Sequence, residues 1–199
     1  MNTEHASNIM PALLRANRSY RRFGGEYLSE AQLRELIACC TLTPSGGNLQ
    51  RLRFRAVSGK EACDAVYPTL GWAGYLSDWD GPCEAERPRG YIVMLCRPSE
   101  DNALLAIDTG ICAQSMLLAA VEQGLGGCML KNVKADALLP TLGLSADEWK
   151  IALVIALGEP VETVEIVPVG EDGSIRSYRD ENGVHYVPKR TVEEILVYK

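Results

Sequence analysis

The chain is poor in the residues that usually mark a metal or hydrolytic centre. It has two histidines, His5 and His185, in 199 residues. Neither is spaced with cysteines as a metal motif, and no Ser-His-Asp order is visible. Seven cysteines stand at 39, 40, 63, 83, 96, 112 and 128, an odd number with no Cys-x-x-Cys pair. Most lie in apolar runs such as Tyr91-Ile92-Val93-Met94-Leu95-Cys96. They read as buried, reduced thiols of a cytosolic protein, with pKa values raised by burial, and not as a disulfide framework.

Positive charge is also short. Lys and Arg number 20 against 26 Asp and Glu, a net charge of −6. That is the wrong sign for a general nucleic-acid binder. The longest clean aliphatic run, 151–157, is far below the roughly 20 residues that span a bilayer and reads as a buried strand. The first residues carry Glu4 and Asn8 and no apolar signal core, so a cytoplasmic location and no membrane contact are expected. Gly124 and Gly126 lack the third glycine of a dinucleotide-binding motif, since that position is Met129.

What remains is 47% hydrophobic, enough for a sizeable core in one domain over 1–199. Helix-like spacing of Ile9, Leu13 and Leu14 predicts a first helix up to Ala16. Ser29-Glu30-Ala31-Gln32 is a capping box that opens a second helix, to about Cys40. Pro44 then stops helical structure. Residues 52–57 alternate apolar and basic as in a half-exposed strand, and a short helix is expected over 62–66. Segment 68–88 holds Trp72 and Trp79 and is irregular. Residues 91–96 and 149–157 read as buried strands, the latter ended by Gly158 and Pro160, and 135–142 as a short helix.

The longest helical candidate is 102–123, capped by Gly124. It has almost no polar face and is rich in alanine, so it must be covered by the core or by a partner. Residues 176–179 and 184–187 flank Asp180-Glu181-Asn182-Gly183 as a hairpin, and Thr191-Val192-Glu193-Glu194 is a second capping box. The late hairpin breaks a strict βαβ alternation. The expected fold class is α+β, a three-layer α/β/α sandwich.

Two polar motifs carry the chemistry. Asn17-Arg18-Ser19-Tyr20-Arg21-Arg22-Phe23 puts three guanidiniums and a hydroxyl in five residues. Arginine forks match phosphate oxygens; the plain alternative is a solvated basic turn. Pro44-Ser45-Gly46-Gly47-Asn48-Leu49-Gln50 is a glycine-containing loop whose backbone and side chains can approach a flat heteroaromatic ligand. An ordinary turn is the alternative here. Trp72, Tyr75 and Trp79 either wall a substrate site or pack segment 68–88 onto the core.

In these two motifs the sequence resembles the FMN-dependent nitroreductase family. The likeness continues in Ile107-Asp108-Thr109-Gly110-Ile111, Gly124-Leu125-Gly126-Gly127-Cys128 and Pro188-Lys189-Arg190, so it covers nearly the whole chain in the family's order. The resemblance implies FMN, with its phosphate held by Arg18, Ser19, Arg21, Lys189 and Arg190. It implies that Pro44, Ser45, Gly46, Asn48 and Gln50 reach the flavin across a homodimer interface. It also implies that the strand-loop containing Leu130 and Lys131 faces the flavin N5 side. The expected activity is hydride transfer from NAD(P)H to a small conjugated acceptor, a nitroaromatic or quinone, by a ping-pong mechanism. Within the family, a dehalogenase-like or enoate-type reductase is an alternative; outside enzymology, a flavin-binding storage or redox-sensing protein. No side chain is expected to be catalytic, because the cofactor carries the redox step.

Overall fold

The computed structural model describes residues 8–72, 74 and 79–197. Its centre is an antiparallel sheet organised on β5 (Lys150–Pro160), which pairs with β1 (Phe23–Gly24), β3 (Gly90–Cys96) and β4 (Gly126–Leu130). β2 (Arg53–Val57) adds to β3. β3 is buried throughout, because helices cover both faces of the sheet. On one face Tyr91, Val93, Leu95, Val154 and Ala156 meet α3 (Lys60–Val66) and α5 (Ala135–Thr141). On the other, Ile92, Met94, Leu153, Ile155 and Leu157 meet α2 (Glu30–Ala38) and α4 (Ala103–Glu122). This is the expected three-layer α+β sandwich, and the period-2 split of β3 between two cores is its physical basis.

α1 (Ile9–Ala16) packs against α4, while the capping box at Ser29 and Gln32 forms as expected. The helix it opens ends at Ala38, and a 3₁₀ turn continues over Cys39–Leu42. β5 does not stop at Gly158. The strand runs on to Pro160, and the bare glycine lets Phe23 and Arg89 close on it, where a Cβ would lie 3.0 Å from the Phe23 side chain.

A second sheet of three strands was only half expected. β7 (Tyr178–Arg179) and β8 (His185–Lys189) form the hairpin, its turn held by Asp180 Oδ1 accepting from the Asn182 and Val184 amides. β6 (Val164–Pro168), which the sequence reading missed, pairs in parallel with β8. The Thr191 capping box opens α6 (Val192–Ile195).

α4 matches the helix expected over 102–123 to within one residue at each end, and by length and composition alone it could cross a bilayer. Its inner face carries Asp108 and Thr109 among buried residues and packs on the sheet, as a core helix does. The opposite side exposes Leu104, Ile107 and Gly110, with Ile111 and Leu118 half-buried.

Candidate functional site: a cationic cavity and a strained loop on opposite sides of one helix

The arginine turn is held against the outer edge of β4. Ser19 bridges Gly127, and the Tyr20 amide donates to the Gly127 carbonyl at 3.1 Å. This approach explains the glycine pair: a side chain at Gly126 would collide with the Tyr20 ring and Pro160, and one at Gly127 with Leu117 and the Ala156 carbonyl. Glu162, just past β5, fixes the turn from the other side. Its fully buried carboxylate accepts the Arg21 amide and, at 3.1 Å, the Arg22 amide; its other oxygen accepts from Arg179 Nη2 at 2.9 Å.

The three guanidiniums then diverge. Arg22 forks onto Glu86 with two hydrogen bonds of 2.6 Å, which holds the Glu86 carboxyl below its usual range and removes Arg22 from ligand binding. Arg18 and Arg21 remain. With Asn17, Ser19, Lys189 and His185 they line a cavity of about 380 Å³. Gln114 and Leu117 of α4, Met129 of β4 and Val164 of β6 complete its walls, as do Ile175, Ser177 and Val187. Arg18 donates to the Leu14 carbonyl at 2.6 Å, but its buried Nε has no partner. His185 is 1% exposed, and neither ring nitrogen is hydrogen-bonded. Unpaired buried donors beside three cations fit an anion with several acceptor oxygens, such as a phosphate.

The second motif forms a separate cavity, of about 250 Å³, lined by Ser45, Asn48 and Gln50 together with Cys40, Asp108 and Cys112. Its loop is backbone-strained: Gly47, Asn48 and Gln50 all have positive φ, and the last two are the only such non-glycine residues among those described. Strain of this kind persists where the surroundings impose it. Here Asp108 Oδ1 accepts the Gly46 amide at 2.8 Å, and Ser45 Oγ accepts the Gln50 amide at 3.2 Å. Asp108 Oδ2 is buried without a partner.

The remaining sequence candidates stand apart from both cavities. Pro44 is exposed beside the loop, and Arg190 is exposed just past β8. Leu130 is 5% exposed and points into the core; the alternation of β4 gives the cavity wall to Met129 instead. Lys131 reaches the Ala152 carbonyl at 2.8 Å. Trp72 stacks on Tyr67 and packs against the core, while Arg179 lies over the Trp79 ring at 4.6 Å. Tyr75 lies outside the described residues. Sequence reasoning gave no role to Glu162 or His185, and Asp108 entered it only within the Ile107-Asp108-Thr109-Gly110-Ile111 likeness; the further signal for Asp108 was an acid in the middle of an apolar helix.

All seven cysteines are free. Burial pushes the Cys63 thiol up to about 11. Cys112 departs from the expected pattern: hydrogen bonding from Cys40 draws it down, and Thr43 Oγ1, 3.4 Å from its sulfur, helps.

The two cavities lie on different sides of α4. At about 100° per residue, Asp108 and Cys112 point one way and Gln114 and Leu117 roughly the opposite way. The loop and the cationic cavity share no lining residue.

Solved structures share this fold. A nitroreductase-type protein from Desulfovibrio desulfuricans, solved in complex with FMN, is 23% identical with a TM-score of 0.67, covering 96% of each chain. An FMN-dependent nitroreductase from Clostridium difficile R20291 is 18% identical with a TM-score of 0.65, covering 95% of this chain and 98% of that one. An FMN- and NADPH-dependent nitroreductase from Sphigopyxis sp. strain HMH is 19% identical with a TM-score of 0.65 and the same coverage. Comparison with curated proteins gives no match. The sequence profile of the nitroreductase family matches residues 14–73 and 85–159, and the chain belongs to that family.

Proposed function

We propose that the protein is a homodimeric FMN oxidoreductase that takes reducing equivalents from NAD(P)H and passes them to a small conjugated acceptor of the nitroaromatic or quinone type. The observation that carries this reading is the cavity where Arg18, Arg21 and Lys189 converge with unpaired donors from Arg18 and His185. One cluster of cations suits the single phosphate of FMN better than the diphosphate of FAD.

In this reading Arg18, Ser19, Arg21 and Lys189 bind the phosphate, and Leu117, Met129 and Val164 supply apolar wall beside it. Ser45, Asn48 and Gln50 present polar groups to the ring system of the flavin bound by a second copy. The apolar outer stripe of α4, which includes Leu104 and Ile107, favours such a pairing. Asp108 keeps the loop in its strained shape, so those polar groups are preset before a ligand arrives. FMN, when bound, supplies the centre that accepts and returns a hydride. The chain orients the partners, and the cofactor carries the redox step.

Release of the chromophore by heat should yield FMN, and double-reciprocal plots with NAD(P)H and a quinone should give parallel lines. FAD, or no flavin after reconstitution, refutes the cofactor assignment. Bound FMN without turnover would favour a storage or sensing role.

A further inference from the structure

His185 begins β8, opposite Val164 of β6 and Arg179 of β7, and its amide donates to the Thr163 carbonyl at 2.9 Å. The backbone is thus pinned on both sides, so the small sheet itself places this residue at the wall of the cationic cavity. A buried imidazole normally finds at least one partner, because each ring nitrogen either donates or accepts. This one has none, yet it lines a cavity shared with Arg18, Arg21 and Lys189. A core histidine that merely fills space would be expected to sit against a carbonyl or hydroxyl. An unpartnered one on a residue that lines a cationic cavity is spare donor capacity.

We propose that His185 is a further ligand of this cavity, donating a ring N–H to the phosphate of a phosphomonoester, which under the function proposed above is that of FMN. Five groups then surround the anion: two guanidiniums, an ammonium, the Ser19 hydroxyl and an imidazole. The imidazole stays neutral in the empty cavity. Burial, and then the neighbouring Arg21, push its pKa below the ordinary value; Glu162 opposes this and Arg179 adds to it. A neutral ring avoids adding a buried charge to the cations before the anion is present, and it still keeps one N–H to donate.

The test compares apoprotein of the wild type, His185→Gln and His185→Phe, titrated with FMN and with riboflavin by quenching of flavin fluorescence. Riboflavin lacks the phosphate. In His185→Phe, FMN should bind about ten- to a hundred-fold more weakly, the usual cost of a charge-assisted hydrogen bond, with riboflavin unchanged. His185→Gln keeps an amide N–H and should fall between. Thermal unfolding of the apoproteins supplies the control. A ligand with no partner in the empty protein can be replaced by an apolar ring without loss, so His185→Phe should melt at or above the wild-type temperature. If His185→Phe fails to fold, the His185→Gln ratio of FMN to riboflavin affinity decides alone. FMN affinity equal to wild type in the variants, or a parallel loss for FMN and riboflavin, overturns the assignment of His185. Wild-type protein that binds no FMN overturns the cofactor reading and this one with it.

Discussion

Glu162 joins three parts of the chain, and its removal can be costed from its contacts. Its carboxylate is fully buried, accepts the amides of Arg21 and Arg22, and pairs with Arg179, itself largely covered. Glu162→Ala leaves two amides and a guanidinium without their acceptor. Breaking a buried pair by deleting one partner costs about 3–5 kcal/mol. The orphaned amides, at about 1–3 kcal/mol each, overlap with that figure because water or backbone movement relieves some of them, so about 3–5 kcal/mol is the expected total. For a chain of this length each kcal/mol moves the melting temperature by about 2–4 °C, giving a drop of roughly 6–20 °C. Glu162→Gln retains an acceptor for the two amides but turns an NH₂ toward Arg179, so it should lose roughly half as much. The assay is thermal and urea unfolding of the apoprotein followed by circular dichroism. Both variants should also bind FMN more weakly, since the amides belong to the turn that carries Arg18 and Arg21. A Glu162→Ala protein within about 0.5 kcal/mol of wild type, the range of ordinary surface variation, would show that this carboxylate does not organise the turn.

FMN affinity should tighten as pH falls from 8 toward 6.5 and stay flat in His185→Phe, measured by fluorescence titration. The sign follows from linkage: His185 in the empty cavity has a pKa below its ordinary 6.5, facing Arg21, Glu162 and Arg179, and a phosphate dianion beside it raises that pKa, so the complex holds more protons than the apoprotein. Below a pH of about 6 protonation of the phosphate itself opposes the trend. Ile107→Glu, at a position 59% exposed on the single chain, should leave the fold intact but bring like charges together between copies; light scattering should report a monomer with weakened flavin retention, and a persistent flavin-bound dimer would count against α4 as the interface.

Local signals were read correctly where their physics is local. The capping boxes at Ser29 and Thr191 close within one helical turn, and both form. The unbroken apolar stretch of β3 needs cover on both faces and has it. β6 escaped because Val164–Pro168 is short and half-exposed, and its partner β8 lies about twenty positions on; only the parallel pairing makes it a strand. Gly158 and Pro160 looked like a stop because a glycine weakens an isolated strand, whereas here it admits Phe23. At the site, Arg18, Ser19, Arg21 and Lys189 share one cavity, and Ser45, Asn48 and Gln50 share another. Asp108 and Glu162 could not be read from spacing, since their partners lie at Gly46 and at Arg21 and Arg22, far away in the chain. A lone histidine in a strand carries no mark of whether its ring will find a partner.

The central position of β5 has a consequence for how the protein is made. β1, β3 and β4 all take their pairing from a strand that ends at Pro160. During synthesis the first 149 residues therefore leave the ribosome without the strand that joins them. Until β5 arrives, β3 and β4 each present a pairing edge, and β3 carries apolar side chains on both of its faces. Unpaired apolar edges of this kind recruit other chains. A nascent or truncated product stopping before residue 150 would be a client for chaperones, whereas one reaching Pro160 already has every strand of the central sheet.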